Sequence, residues 1–336
     1  RRQRQMCIRD SFNTALYTGD GQTTQDVTGV GFKPDWTWIK ERSAASGHVL
    51  VDSIRGYEKF LSANNSTDDS TGVTNNNASR SNAGYQTTNS GASNENGQTY
   101  ASWNWKANGG TTSSNTQGTV TSTVQTSTIA GFSIIQYVGT VSALSYGHGL
   151  DERPTFYIVK DRDSDIGWFI QYFDGSSDYY LAFNTVGHTA ISTFTPDATK
   201  MNYGGSSTLI NQSGKNYIVY AFHSVEGYSK VGTYTDNSST DGTYIHLGFR
   251  ASWIMIKSTS SGSWCIFDNK RNPLNAVNLM LLANDSTNED AQGTSDNLDF
   301  LSNGFKLRDN SGGRNTSGTK YMYMAFAEQP FKFSNA

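Results

Sequence analysis

The chain has 336 residues but only two cysteines, Cys7 and Cys265, and five prolines. Two thiols build neither a disulfide framework nor a closed zinc site. Cys265 stands in the apolar run "SWCIF", where a small buried hydrophobe is the ordinary role. Long hydrophobic runs are also missing: "YMYMAFA" (321–327) is far too short to cross a bilayer, so no membrane insertion is expected. Charged residues make up 16% and the net charge is -3. No global positive field exists to draw the chain onto nucleic acid or an anionic membrane. Helix formers are sparse, and no long segment carries a helical apolar period.

Aromatic residues are abundant at 12%, with Tyr 18, Phe 17 and Trp 7, against a hydrophobic content of only 35%. Such rings supply large buried areas from few side chains. The rest is dominated by Gly, Ser, Thr and Asn, which suits many short strands joined by polar turns. The composition therefore reads as all-β, and the length exceeds one ordinary domain. Residues 1–11, "RRQRQMCIRDS", resemble translated sequencing-adapter text and are set aside as a non-native segment. The competing reading is a basic arm that touches nucleic acid.

Internal repetition organises the remainder. "GFKPDWTWIK" (31–40) and "GFRASWIMIK" (248–257) are near copies, and "LDERPTFYIVK" (150–160) is a third. With Lys40, Lys160 and Lys257 aligned, a Tyr-ending strand precedes each copy, at Tyr17, Tyr137 and Tyr234. A second strand follows each, in "HVLVDSIRG", "WFIQYFDG" and "WCIFDNKRN". An aromatic strand closes each unit: "YASWNWK", "YIVYAFH" and "YMYMAFA". The spacing of roughly 100–120 residues is that of tandem domains rather than a solenoid. Both faces of the lysine strand are apolar, so it is expected to be covered on both sides. The expected architecture is three tandem antiparallel β-sandwich or jelly-roll domains, at 12–106, 128–226 and 227–336. Residues 107–127 read as a slack Gly/Ser/Thr-rich linker, and 62–84 as a long polar surface loop.

Candidate sites are few. "DRDSDIG" puts Asp161, Asp163 and Asp165 at alternate positions, as calcium ligands would be, but it lacks the glycine and glutamate of an EF-hand loop. The acidic loops "NNSTDDST" (64–71) and "NDSTNED" (284–290) read as Asx-rich turns, with calcium as the alternative. The five histidines, His48, His148, His188, His223 and His246, show no matching places in the repeats. No paired carboxylates on one strand face, no nucleophile elbow and no phosphate loop occur, so no enzyme is expected. "DSIR" and "DNKR" recur in copies one and three, and an Asp–Arg contact pinning the strand end is the favoured reading. The functional alternative gives Arg55 and Arg271 an acidic sugar or a partner. Trp103 and Trp105 are the tryptophans chosen for sugar stacking, because their equivalents vary in shape.

The stretches "VGFKPDWTWIKERS", "YGHGLDERPTFYIVKDR", "HLGFRASWIMIKSTSSGSWCIFDNKRNP", "FLSNGFKLR" and "YMYMAFAEQPFKFSNA" resemble the tandem β-sandwich domains of tail-fibre and virion structural proteins of marine bacteriophages. The likeness covers nearly all of the chain after residue 11. It implies a concanavalin-like fold and a structural or host-attachment role on the virion surface, without assigned catalysis. The leading expectation is weak, multivalent binding of host glycans, strengthened by homo-oligomers such as a trimer. A structural spacer or capsid decoration that meets other virion proteins is the alternative, and a polysaccharide-cleaving enzyme the second. No cofactor beyond the calcium candidates is implied.

Overall fold

The computed structural model describes residues 11–69, 80–88, 90–183, 189–190, 193–205, 207–260, 262–289, 297–310 and 313–328. The adapter-like segment, apart from Ser11, lies outside them, as do much of the polar loop of the first repeat and His188. The described chain is all-β: antiparallel sheets, none closed, and no α-helix.

The first repeat contributes β1 (Phe12–Thr18), β2 (Thr24–Thr28), β3 (Trp36–Glu41), β4 (Val49–Asp52), β5 (Arg80–Ser81), β6 (Gly84–Thr88) and β7 (Thr99–Trp105). The second runs through β8 (Ser113–Asn115), β9 (Ser122–Ser127), β10 (Phe132–Val138), β11 (Leu144–Gly147), β12 (Phe156–Asp161), β13 (Phe169–Phe173), β14 (Asp178–Leu181), β15 (Thr189–Ala190), β16 (Lys200–Tyr203) and β17 (Asn216–Phe222). The third holds β18 (Ser229–Thr235), β19 (Tyr244–His246), β20 (Ala251–Ser258), β21 (Trp264–Asp268), β22 (Leu281–Leu282), β23 (Leu298–Leu301), β24 (Gly304–Leu307) and β25 (Lys320–Ala327).

Every repeat uses the same order in its large sheet: Tyr-ending strand, closing aromatic strand, lysine strand, following strand. The orders are β1-β7-β3-β4, β10-β17-β12-β13 and β18-β25-β20-β21. A small sheet accompanies each: β2-β6-β5, β11-β16 and β19-β24-β23. In the small sheets of the first and third repeats, Gly84 and Gly304 are required by close approach. A β-carbon there would stand 2.1 Å from the carbonyl oxygen of Val27 or Ile245.

Side chains alternate along the lysine strands, and every residue of β3, β12 and β20 is buried. One face of each large sheet joins a core with its own small sheet. Ile39 and Tyr100 meet Val27 and Tyr85 in the first repeat, and Ile254 and Tyr321 meet Ile245 and Phe305 in the third. The other face turns to a core common to all three repeats, holding Trp36, Trp105, Phe132, Tyr220, Trp253 and Phe326 among others. Rings meet across every pair of repeats. Trp36 stacks on Tyr220 at 4.4 Å, Phe12 on Phe326 at 4.8 Å, and Phe222 meets Phe326 edge-on at 5.9 Å. Burial of each such ring contributes roughly 2–3 kcal/mol, so the shared face is a principal source of cohesion.

The stretch expected to be a slack linker behaves differently. Two of its segments are the strands β8 and β9, and β9 extends the second repeat's sheet by pairing with β10. Ser/Thr-rich text suits a strand at a sheet edge as well as a linker, and here the edge takes it. At the short junction between the second and third repeats, Val225 bridges Ser229, and Tyr228 packs edge-on against Phe326.

Candidate functional site

The polar chemistry of the chain is concentrated where one repeat meets the next. At the seam between the first and second repeats, Asp52 and Arg55 form a fully buried ion pair, with Arg55 Nε donating to Asp52 Oδ2 at 2.5 Å. Tyr220 of the second repeat donates its hydroxyl to the same oxygen at 2.7 Å. Arg55 Nη1 lies 3.8 Å from Asp69 Oδ2, which also accepts from Arg162 Nε at 2.8 Å. Burial pushes the Asp52 carboxyl up, but Arg55, backbone amides and Tyr220 outweigh it and hold the group below the usual carboxylate range.

The seam between the third and first repeats is built alike. Arg271 Nε donates to Asp268 Oδ2 at 2.6 Å, and Trp103 Nε1 donates to the same oxygen at 3.1 Å. Arg271 Nη1 reaches Glu289 at 3.3 Å, and Glu289 takes Arg42 Nη2 at 2.7 Å. Strand register places Asp52 and Asp268 at one position of the repeat, opposite Trp36 and Trp253. In the second repeat Tyr172 holds that position, opposite Phe156. Two residues beyond the landmark lysines stand Arg42, Arg162 and, in the third repeat, Thr259. The seam between the second and third repeats therefore lacks this network at those positions. Lys320 and Asp174 cross it instead, at 2.6 Å.

One interaction does recur at all three seams. His48, Trp168 and Trp264 directly precede the paired residues Val49, Phe169 and Cys265. Each sends a ring N–H to a carbonyl of the neighbouring repeat: His48 Nε2 to Leu282 at 2.9 Å, Trp168 Nε1 to Ser62 at 3.1 Å, and Trp264 Nε1 to Ala182 at 3.1 Å. His48 Nδ1 accepts from Trp38 Nε1 at 2.7 Å, which fixes the proton on Nε2. Burial, aided by the Lys40 charge, depresses its pKa to about 3, so the ring is neutral. Of the histidines, His48 stands where the other repeats place tryptophan.

The landmark lysines are interior as well. Lys40, Lys160 and Lys257 each donate to the carbonyl of the next residue, at 2.8, 2.8 and 3.0 Å. Lys40 adds Ser286 of the third repeat at 3.1 Å. Burial draws all three pKa values down to about 8. Sequence spacing singled these lysines out, but only the fold shows what they grip.

A family profile, domain of unknown function DUF7483, matches residues 9–330. The chain belongs to the DUF7483 family. The match spans all three repeats, in keeping with the core they share. No curated protein sequence matches the chain.

The four residues expected to reach a sugar are interior in this DUF7483 chain. Trp103 and Trp105 are 0% and 1% exposed, and Arg55 and Arg271 are 5% exposed with both side chains in ion pairs. Trp103 and Tyr220 each face an aspartate across a seam, while Met324 stands at their position in the third repeat. The calcium candidates are committed to different amides. Asp161 Oδ1 accepts from Asp163 N at 2.8 Å, Asp163 Oδ2 from Asn216 N at 2.7 Å, and Asp165 Oδ1 from Asp68 N at 3.1 Å. Among the described residues no group of three or more His, Cys, Asp or Glu stands together as a metal site. The acidic loops read as Asx turns supply Asp69 and Glu289, the bridging carboxylates of two seams.

Proposed function

We propose that the chain is a non-catalytic structural module of a phage virion surface, three sandwich-like units fused on one core, that meets other virion proteins as a homo-oligomer. One observation carries this reading. Two fully buried Asp–Arg pairs and all seven tryptophans, which a binding or catalytic site would draw on, lie in the core and seams that join repeat to repeat. A chain that bonds its units so tightly transmits force as one body. The resemblance to marine phage tail and virion proteins supplies the setting.

Antibodies raised against the purified chain should label intact phage particles in immunogold electron microscopy of purified marine virus fractions. Labelling confined to cell debris would overturn the virion assignment. New reducing ends after incubation with marine polysaccharides would replace it with the enzyme reading.

A further inference from the structure

We infer that the outer face of the third repeat's small sheet carries a saccharide contact centred on Tyr244, which takes a neutral pyranose. Tyr244 is 42% exposed, while every other described Trp, Phe and Tyr is buried or half-buried. In a chain that hides its rings so consistently, one ring left in water stands out.

Its position is fixed rather than loose. The hydroxyl donates to Asn303 Oδ1 at 2.8 Å and lies 3.2 Å from His246 Nδ1. The ring edge lies 3.0 Å from the place a β-carbon would take on Gly304, so that glycine makes room for it. Covering a glycine across a strand pair is a structural use of an aromatic ring. That use needs no anchored hydroxyl, whereas a stacking platform needs the ring held in one plane.

Hydrogen-bonding groups surround the ring. His246 Nε2 has no partner among the described residues, and Lys230 Nζ donates to the His246 carbonyl at 2.8 Å. Lys306 and Arg308 are already held by Asp241 and Asp299, at 2.5 and 2.6 Å. Two of the three cations beside the ring are thus paired with carboxylates and Lys230 is held by a carbonyl, which favours a neutral sugar over an acidic one. A pyranose offers axial C–H groups to the ring and hydroxyls to His246 and Asn303. The contact belongs to the third repeat alone, because register puts Asp26 and Ser145 in its place in the other two. It goes beyond the structural reading above and does not depend on it.

Saturation-transfer NMR on the full chain, with methyl β-D-glucopyranoside and its uronate counterpart as probes, tests the inference. The neutral glycoside should show transfer, with amide shifts confined to Tyr244, His246 and Asn303. Tyr244→Ala should weaken the signal at least tenfold; Tyr244→Phe, which keeps the ring over Gly304, should weaken it about threefold with the fold intact by circular dichroism. No transfer to the wild type, an undiminished signal in Tyr244→Ala, or a tenfold preference for the uronate would each overturn it. None of these outcomes touches the immunogold result, so the two proposals fail separately.

Discussion

Tyr220 and Trp103 stand at one position on the closing strands of two repeats, and each hydrogen-bonds an aspartate of the neighbouring repeat. Tyr220 reaches Asp52 at 2.7 Å and Trp103 reaches Asp268 at 3.1 Å. The third equivalent is Met324, and the residue at the aspartate position of the second repeat is Tyr172. Donor and carboxylate are therefore replaced together at one seam and kept together at two. A buried carboxylate facing methionine would be costly, so the two positions change as a pair.

Removing one member of such a pair should cost far more than removing both. Asp268→Ala leaves the Arg271 guanidinium buried with Glu289 as its remaining carboxylate, and should destabilise the fold by about 3 kcal/mol. Asp268→Ala with Arg271→Met should recover most of that loss. Urea titrations of the three proteins measure it; equal losses in the single and double variants would refute the coupling.

Acid should loosen the seam between the first and third repeats through His48. Its pKa is about 3 in the fold and near 6.5 unfolded, so the unfolded chain binds the extra proton between those values. Stability is then complete above pH 6.5 and falls as pH drops toward 3, by roughly 5 kcal/mol at most. His148, likewise depressed by burial, acts in the same direction. His48→Gln should flatten the slope of unfolding free energy between pH 6.5 and 4, whatever it does at pH 7.

The landmark lysines give the opposite limb. Each is near 8 in the fold and near 10.5 unfolded, so the unfolded chain again holds more protons, here between pH 8 and 10.5. Stability should rise as pH climbs from 8 toward 10, by about 2 kcal/mol per lysine. Above pH 10 unfolded tyrosines ionise, while burial keeps Tyr137 and Tyr234 protonated in the fold, which reverses the trend. Among the described residues Lys257 has one carbonyl acceptor, so Lys257→Met should raise the melting temperature at pH 7 and reduce the slope.

The repeats were legible because each needs its own lysine strand, Tyr-ending strand and closing strand, and those recur at fixed offsets. The Asp–Arg contacts within "DSIR" and "DNKR" were legible too, and both are present. The shared core was not. A strand buried on both faces reads the same whether its second cover is a sheet of its own unit or a neighbouring repeat. Trp103 and Trp105 were misplaced for that reason. His48 was hidden by its chemistry: one ring N–H does the work of an indole, but composition alone does not equate histidine with tryptophan. Tyr244 lay in the unremarked strand "TYIHLGF", and only its exposure marks it out.

Unequal seams should open unequally. Trp168 Nε1 donates to Ser62 and Asn65 carbonyls, at 3.1 and 3.0 Å, in a seam that also holds Asp52, Arg55, Asp69 and Arg162. Trp264 Nε1 donates to Ala182 at 3.1 Å, in the seam where tyrosine, methionine and threonine replace those ions. Breaking the first seam strands buried charges, whereas breaking the second exposes mainly apolar surface and one partly exposed lysine pair. The indole proton of Trp264 should therefore exchange with deuterium about tenfold faster than that of Trp168, a difference of roughly 1.4 kcal/mol in opening free energy. Asp174→Asn should widen the gap, because it removes the Lys320 pair from the weaker seam alone. If Trp168 exchanges first, the buried ions do not hold the repeats together, and the aromatic core alone must.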